Sequence, residues 1–540
     1  MKKLFIDCQI LQTPAYNRGM GKYCLSLIDA LKKNSAFKKD YDPILIFSTN
    51  LNTSDLLLKD IKTHTNINKS ILINLPIDIS SDLEAKKGLA KAEMSKSISN
   101  LIRPKEQVDF LSLAPFFVGF PSVFPEVDGL KKLTIVYDLI PFLVWQKQRI
   151  FPDDIYFDHF KFLYEADGIF SISQAAKNDL VTLLGVDSKR IHNINGGAFE
   201  VANESGLKER TIRERYILYP SAPIIHKNNS NAVKAFKIFN ESRNNKYKLV
   251  FTSSFDEETK STLRMISKDI IFTGNVTDKE LAALYINSDI VLFASLAEGL
   301  GMPVLEAVIY GKPIACSDIA VLAEMSDKAF YLFDPSTPVS IAAALNDAVD
   351  GLEWDKKKST YPEIKAKYQW SNSAKDFMQA AKSVKAASIS SPKKIIEIIS
   401  PYPGEYDPEQ QLTEYIYGNL YGNFDVVLRY YGSPRAPKVP AFAMGYQAKT
   451  QTDTPELSIV IGKSPRSVRP RSTRQIKITL KKTKRFLKNL RTRAVGDIEV
   501  KAQPVTVNKA LGLKGWEYEM AVGRDNLRAV LIEKIKKEIS

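Results

Sequence analysis

DIVLFASLAEGLGMPVLE, residues 289–306, reads as a short buried strand, a glycine-rich turn and the opening of a helix. Gly299 and Gly301 allow a tight turn and a close approach by a ligand. Pro303 suits the first turn of a helix, where a missing N–H costs little. The free N–H groups at such a helix start, together with the helix dipole, form an anion site suited to a diphosphate. Glu298 stands before the turn and Glu306 beyond it, so the two carboxylates can reach different parts of one ligand. The plainer alternative is an ordinary strand–turn–helix carrying two solvated glutamates.

Working outward, the first 385 residues alternate apolar runs with amphipathic helical stretches, the pattern of a doubly wound parallel sheet. One series of strands is expected at 3–8, 42–48, 133–139, 168–173 and 191–194, with helices at 20–33 and 174–184. A second is expected at 215–222, 247–254, 269–275, 289–295 and 312–318, with helices at 228–242, 278–287, 303–310 and about 338–351. The fold class is therefore α/β, two Rossmann-like halves facing a cleft. Ligands of such sheets bind beyond the carboxyl ends of the strands, so the cleft is the expected site.

Three further segments carry chemistry at strand ends. In YILYPSAPIIHKNN, 216–229, His226 and Lys227 stand just before Asn228, which is suited to capping a helix start. A lysine there can neutralise charge on a departing diphosphate. In NRGMGKY, 17–23, Gly19 and Gly21 lie between the first strand and its helix. In VYDLIPF, 136–142, Asp138 either contacts a ligand or caps the following turn.

Taken together these segments resemble the family-4 retaining glycosyltransferases of the GT-B fold, in order and with sensible spacing over about 1–385. The two glutamates of EGLGMPVLE match that family's signature. The resemblance implies that Glu306 holds the ribose and Glu298 the donor sugar, while the backbones of Gly299, Leu300, Gly301 and Met302 hold sugar and diphosphate. It further implies that Gly19 and Gly21 face the donor phosphates, that Gly274, Asn275 and Val276 border the base, and that Lys227 and His226 stabilise the leaving group. Asp138 and Pro141 match the family's HDLIP segment, but Tyr137 replaces its histidine. A helix near 369–385 would cross back onto the first half. The implied reaction moves a sugar from a nucleoside diphosphate to an acceptor hydroxyl with retention. It uses no metal and no other cofactor, and it belongs to bacterial surface-polysaccharide or glycolipid assembly. A GT-B sugar-nucleotide epimerase and a non-catalytic scaffold are the alternatives.

Composition sets outer limits. The chain has 540 residues, 44% hydrophobic and 25% charged, which is the profile of an ordinary globular protein. Its three cysteines show no metal-binding spacing and are expected to be reduced. Asp7 interrupts the first apolar run, which reads as an opening strand rather than a signal peptide. With no stretch as apolar as a spanning helix, a cytoplasmic location is expected, peripheral on the inner membrane face if lipid is bound. Net charge is +15, and between Lys463 and Arg493 stand 13 Lys and Arg with no Asp or Glu. That stretch is either a solvated surface or an anionic-membrane contact; with one phenylalanine it offers little to nucleic acid. The expected domains are 1–205 with 365–386 crossing back, 206–364, a linker and partial tandem unit over 387–440, and a basic region 441–540 of unassigned fold. Helices are expected near 409–420 and 525–538.

Overall fold

The computed structural model describes residues 1–77, 83–116, 119–141, 162–163, 165–184, 186–199, 212–326 and 328–386, and the backbones of six strands beyond them. The first half is a parallel sheet of β1 (Lys2–Asp7), β2 (Tyr41–Ser48), β3 (Ser70–Ile73), β4 (Val108–Ser112), β5 (Leu130–Val136), β6 (Gly168–Ser171) and β7 (Ile191–Asn193). Their spatial order is β3-β2-β1-β4-β5-β6-β7. The second half repeats the winding with β8 (Arg215–Tyr219), β9 (Tyr247–Phe251), β10 (Ile270–Phe272), β11 (Ile290–Phe293), β12 (Ile314–Ser317) and β13 (Tyr331–Phe333), in the order β10-β9-β8-β11-β12-β13. Successive apolar residues fit such sheets because helices cover both faces. Leu4, Phe5 and Ile6 are all fully buried, as are Leu249, Val250 and Phe251.

The helices of the first half are α1 (Gly19–Lys33), α2 (Ser35–Asp40), α3 (Asp55–Thr65), α4 (Leu83–Ser99) and α5 (Gln174–Leu184). Those of the second are α6 (Asn229–Ser242), α7 (Glu257–Ile266), α8 (Asp278–Asn287), α9 (Met302–Ile309), α10 (Ala320–Met325), α11 (Pro338–Val349), α12 (Trp354–Lys358) and α13 (Tyr361–Lys367). Thr277 and Glu280 form a reciprocal capping box at the start of α8, satisfying two otherwise orphaned amide groups. α14 (Trp370–Ser383) crosses back onto the first half, as expected. There the Phe377 ring lies 4.4 Å from that of Phe170, and Lys131 Nζ donates to the Ala381 carbonyl at 2.7 Å.

The two-half architecture and most strand positions agree with the sequence reading. β3, β4 and β13 were not anticipated. Asp109 breaks the apolar run of β4, yet it is fully buried. It is tolerated because Tyr41 donates to it at 2.6 Å and the ammonium groups of Lys2 and Lys131 face it.

The expected boundary at 440 is corrected. β14 (Ile395–Pro401) and β15 (Asp425–Tyr431) join β16 (Leu457–Ile461), β17 (Gln475–Lys482), β18 (Leu487–Ala494) and β19 (Gly496–Lys501) in one sheet, in the order β15-β14-β16-β17-β18-β19. β14 pairs in parallel with both β15 and β16, so this sheet spans the supposed boundary. The basic stretch forms β17 and β18, and register sets Arg493 opposite Asp497 and Arg491 opposite Glu499. The expected helices near 409–420 and 525–538, and the linker 387–394, lie outside the described residues. Among the described residues no helix is long and apolar enough to cross a membrane.

The anchoring of α14 is testable. Phe377→Ala should destabilise the protein by about 3–5 kcal/mol, the usual cost of deleting a buried aromatic ring. Urea denaturation followed by the fluorescence of Trp370 in the same helix reads this out. A loss below about 1 kcal/mol would show that α14 is not packed into the first half.

Candidate functional site

The winding of each sheet reverses once, between β1 and β4 and again between β8 and β11. Loops leaving the carboxyl ends on either side of such a reversal must diverge, which opens a crevice. The loops after β1, β5, β8 and β11 all contribute to one cleft of about 700 Å³ between the halves.

Two helix starts meet in it. α1 begins at Gly19 with Arg18 as its N-cap, and α9 begins at Met302 with Gly301 as its N-cap; neither receives a side-chain cap. Their leading amides are thus available to an anion. The turn into α9 needs its glycines. Gly301 has φ +85°, and a Cβ there would lie 2.7 Å from Leu322 Cδ2. At Gly299 a Cβ would lie 2.6 Å from the Tyr137 carbonyl oxygen, so the two halves touch backbone to backbone at this point. A Cβ on Gly19 would come within 2.6 Å of Met302 Cε.

Lys227 points at the same place. Its Nζ is 2.5 Å from Glu298 Oε1, with both side chains largely buried (16% and 10% exposed), and it lies 5.2 Å from the Phe293 ring centre. The lysine's loop is pinned by Leu296, whose N–H donates to the His226 carbonyl at 2.7 Å, and by the Tyr219 hydroxyl on the Lys227 carbonyl. Burial pushes His226 down to about 4, so it is neutral at pH 7 and can act as a hydrogen-bonding group rather than a cation.

Asp138 combines its two anticipated roles. Its Oδ1 accepts from the Ile140 N–H at 2.9 Å, capping the turn, and the residue also lines the cleft. Burial raises its carboxyl to about 6, with the charge of Glu298 adding to the effect. Burial likewise raises Asp179 of α5 to about 7, with Asp138 contributing. Tyr137, where the resembling family has histidine, turns its hydroxyl inward to within 2.9 Å of Cys24 Sγ and is 8% exposed.

Glu306 borders a smaller cavity of about 270 Å³, with Lys22, Asp278, Tyr285, Phe199 and Tyr310. The Tyr285 hydroxyl donates to Glu306 Oε2 at 2.8 Å, and Lys22 of α1 pairs with Asp278 across the halves. Burial nevertheless raises Glu306 to about 7.

The structure therefore brings Lys227, His226, Glu298, Asp138, Gly19, Gly299, Leu300, Gly301 and Met302 around one cleft. Three expectations are corrected. Gly21 does not face the cleft but packs against the carbonyls of Ala15 and Tyr16, where a Cβ would lie at 2.4 Å from each. Asn228 occupies the N-cap position of α6 at φ +60° but caps nothing; its Nδ2 donates to the carbonyls of Ala294 at 3.1 Å and Pro335 at 2.7 Å. Gly274, Asn275 and Val276 line neither cavity; Asn275 instead accepts from the Ser254 N–H at 3.2 Å. Sequence reading missed Lys22, which stands in NRGMGKY but was given no role there, and Asp278, Asp179 and Tyr285; the fold alone assembles them.

Comparison with known proteins gives a consistent picture. Residues 207–363 match the family model described as glycosyl transferases group 1. A serotype-specific mannosyltransferase, WbdA of Escherichia coli, is 28% identical over 266 residues, 45% of this chain and 32% of that protein. The O-antigen chain mannosyltransferase RfbU of Salmonella typhimurium is 26% identical over 230 residues, 40% of this chain and 61% of the relative. The chain thus spans about a third of the length of the WbdA relatives it matches. Among solved structures, the sucrose-phosphate synthase of Thermosynechococcus elongatus superposes with a TM-score of 0.52 at 15% identity, covering 71% of this chain and 98% of that one. A glycosyltransferase from Rickettsia africae gives 0.50 at 15% identity, covering 71% and 98%. These share the GT-B fold of two facing Rossmann-like halves.

The state of Glu306 leads to a pH prediction. Its folded value lies above the ordinary 4.5, so folding favours the protonated form. The stability it contributes is fully present below about 4.5 and is lost as pH rises through about 7. Glu306→Gln removes this titration while keeping the shape. The melting temperature of the variant should therefore fall less than that of the parent between about pH 5 and 8. Equal slopes would show that the carboxyl is not desolvated.

Proposed function

We infer that this chain, whose residues 207–363 match the glycosyl transferases group 1 model, moves a sugar from a nucleoside-diphosphate donor to an acceptor hydroxyl with retention of anomeric configuration. The observation that carries this reading is Lys227 held against Glu298 at the open start of α9, facing the start of α1. A diphosphate seated there meets backbone N–H donors from both helices and one ammonium group.

On this reading the nucleoside occupies the smaller cavity, with Glu306 accepting from the ribose hydroxyls. The sugar and diphosphate lie in the larger cleft, with Glu298 turned to the sugar. As the bond from C1 to the phosphate oxygen breaks, negative charge grows on the diphosphate. Lys227 and the amides of Gly301 and Met302 meet that charge in a site partly shielded from water, and neutral His226 adds a hydrogen bond. The acceptor attacks from the face the diphosphate leaves, and the leaving oxygen takes its proton. Charge neutralisation falls to these groups, and no metal or further cofactor is invoked. Mannose is the favoured donor sugar, because the similar WbdA and RfbU are named mannosyltransferases. The O-antigen chain named for RfbU favours a saccharide acceptor in surface-polysaccharide assembly; an acceptor free or lipid-linked on the cytoplasmic side belongs to the same proposal. The basic strands β17 and β18 are assigned to an anionic membrane surface in this scheme.

Incubation with labelled nucleoside-diphosphate sugars and an oligosaccharide acceptor tests the reading, with the product anomer read by NMR. Lys227→Ala should lower kcat about 10²–10³-fold, the typical loss of one charge-stabilising donor. Glu306→Ala should raise the donor KM about tenfold or more, as expected for a lost hydrogen bond to a charged group. Near-parental turnover by both variants, or an inverted product, would refute the assignment.

A further inference from the structure

The start of α5 is capped by the opposite half of the molecule. Glu324, on α10 of the second half, accepts from the Gln174 N–H through Oε1 at 3.0 Å and from the Ala175 N–H through Oε2 at 2.9 Å. Within the first half, Ser173 Oγ satisfies only the next amide, Ala176, at 3.0 Å. A carboxylate set against free helix amides meets both the hydrogen-bond deficit and the positive end of the helix dipole. This contact therefore favours an arrangement in which the halves are together.

The contact is connected to the cleft at both ends. On the first half, Ile172 stands two residues before Gln174 and lines the cleft, and the charge of Asp138 in the cleft acts on Asp179 of the same α5. On the second half, Leu322 of α10 lies directly against Gly301, which sets the start of α9. Glu324 thus joins α5, which begins beside the cleft-lining Ile172, to α10, whose Leu322 lies against the glycine turn.

We propose that Glu324 is a positioning residue, a cross-half cap on α5 that sets the closed geometry in which Lys227 and the α9 start face Gly19 and Asp138. Lys22 with Asp278 forms a second charged contact between the halves. The proposal rests on the transferase reading only for its effect on turnover; the closure itself is a property of the fold.

The test uses the full chain with spin labels on cysteines replacing the exposed Lys59 on α3 and Glu258 on α7. Cys8, Cys24 and Cys316 are buried and leave labelling selective. Two variants are compared. Glu324→Gln removes the charge. Glu324→Ala removes both acceptors at a half-buried position, while Ser173 Oγ goes on capping the Ala176 amide. Both should shift the distance between labels towards longer, broader distributions. Both should also lower kcat/KM for the acceptor about tenfold, a larger change than in the Kd of the free nucleoside diphosphate, for which Glu306 and the start of α9 stay in place. Unchanged distances in both variants would overturn the proposal, even if turnover fell. Lengthened distances in a protein that transfers no sugar would support the closure role and refute the transferase reading instead.

Discussion

The structure turns on the beginning of α9. A helix whose first amides lack a side-chain cap is a standing demand for negative charge, and here Gly301 at positive φ holds that end towards the cleft. Almost every other feature of the site answers to it. Gly299 lets the Tyr137 carbonyl approach, which brings the first half against the turn. Lys227 is drawn in beside Glu298, and α1 presents a second uncapped start from the other side.

Around this point the cleft keeps its charge low. Burial holds Asp138, Asp179 and Glu306 towards their neutral forms and strips the charge from His226. The Lys227–Glu298 pair is then a nearly self-balanced unit in a desolvated place. An incoming diphosphate competes with Glu298 for the ammonium group. Carboxylates kept partly protonated also cost less to leave near the phosphates than ionised ones would.

The third sheet repeats the first four-strand winding of the body. β14 lies between β15 and β16, and β17 follows β16, just as β1 lies between β2 and β4 with β5 beyond. The basic stretch at 463–493, read from sequence as a bare charged surface or membrane contact, contains two of this sheet's strands, and β19 brings Glu499 and Asp497 into register with its arginines.

From the sequence alone came the two α/β halves, the crossing helix and the core of the site. That information is local: continuous apolar strands, glycines at strand ends, and the order of the segments. Gly299 and Gly301 could be named because a tight turn into a helix calls for them, and Lys227 and Glu298 because the short motifs that hold them resemble those of a known family. Tertiary structure alone decided the rest. β4 was hidden because Asp109 looks like a surface residue until Tyr41, Lys2 and Lys131 surround it. Gly21 turned out to serve the packing of its own loop. Lys22, Asp278, Tyr285 and Glu324 owe their places to contacts between residues 18 to 256 positions apart, and no periodicity along a chain records which distant side chains will share one low-dielectric space.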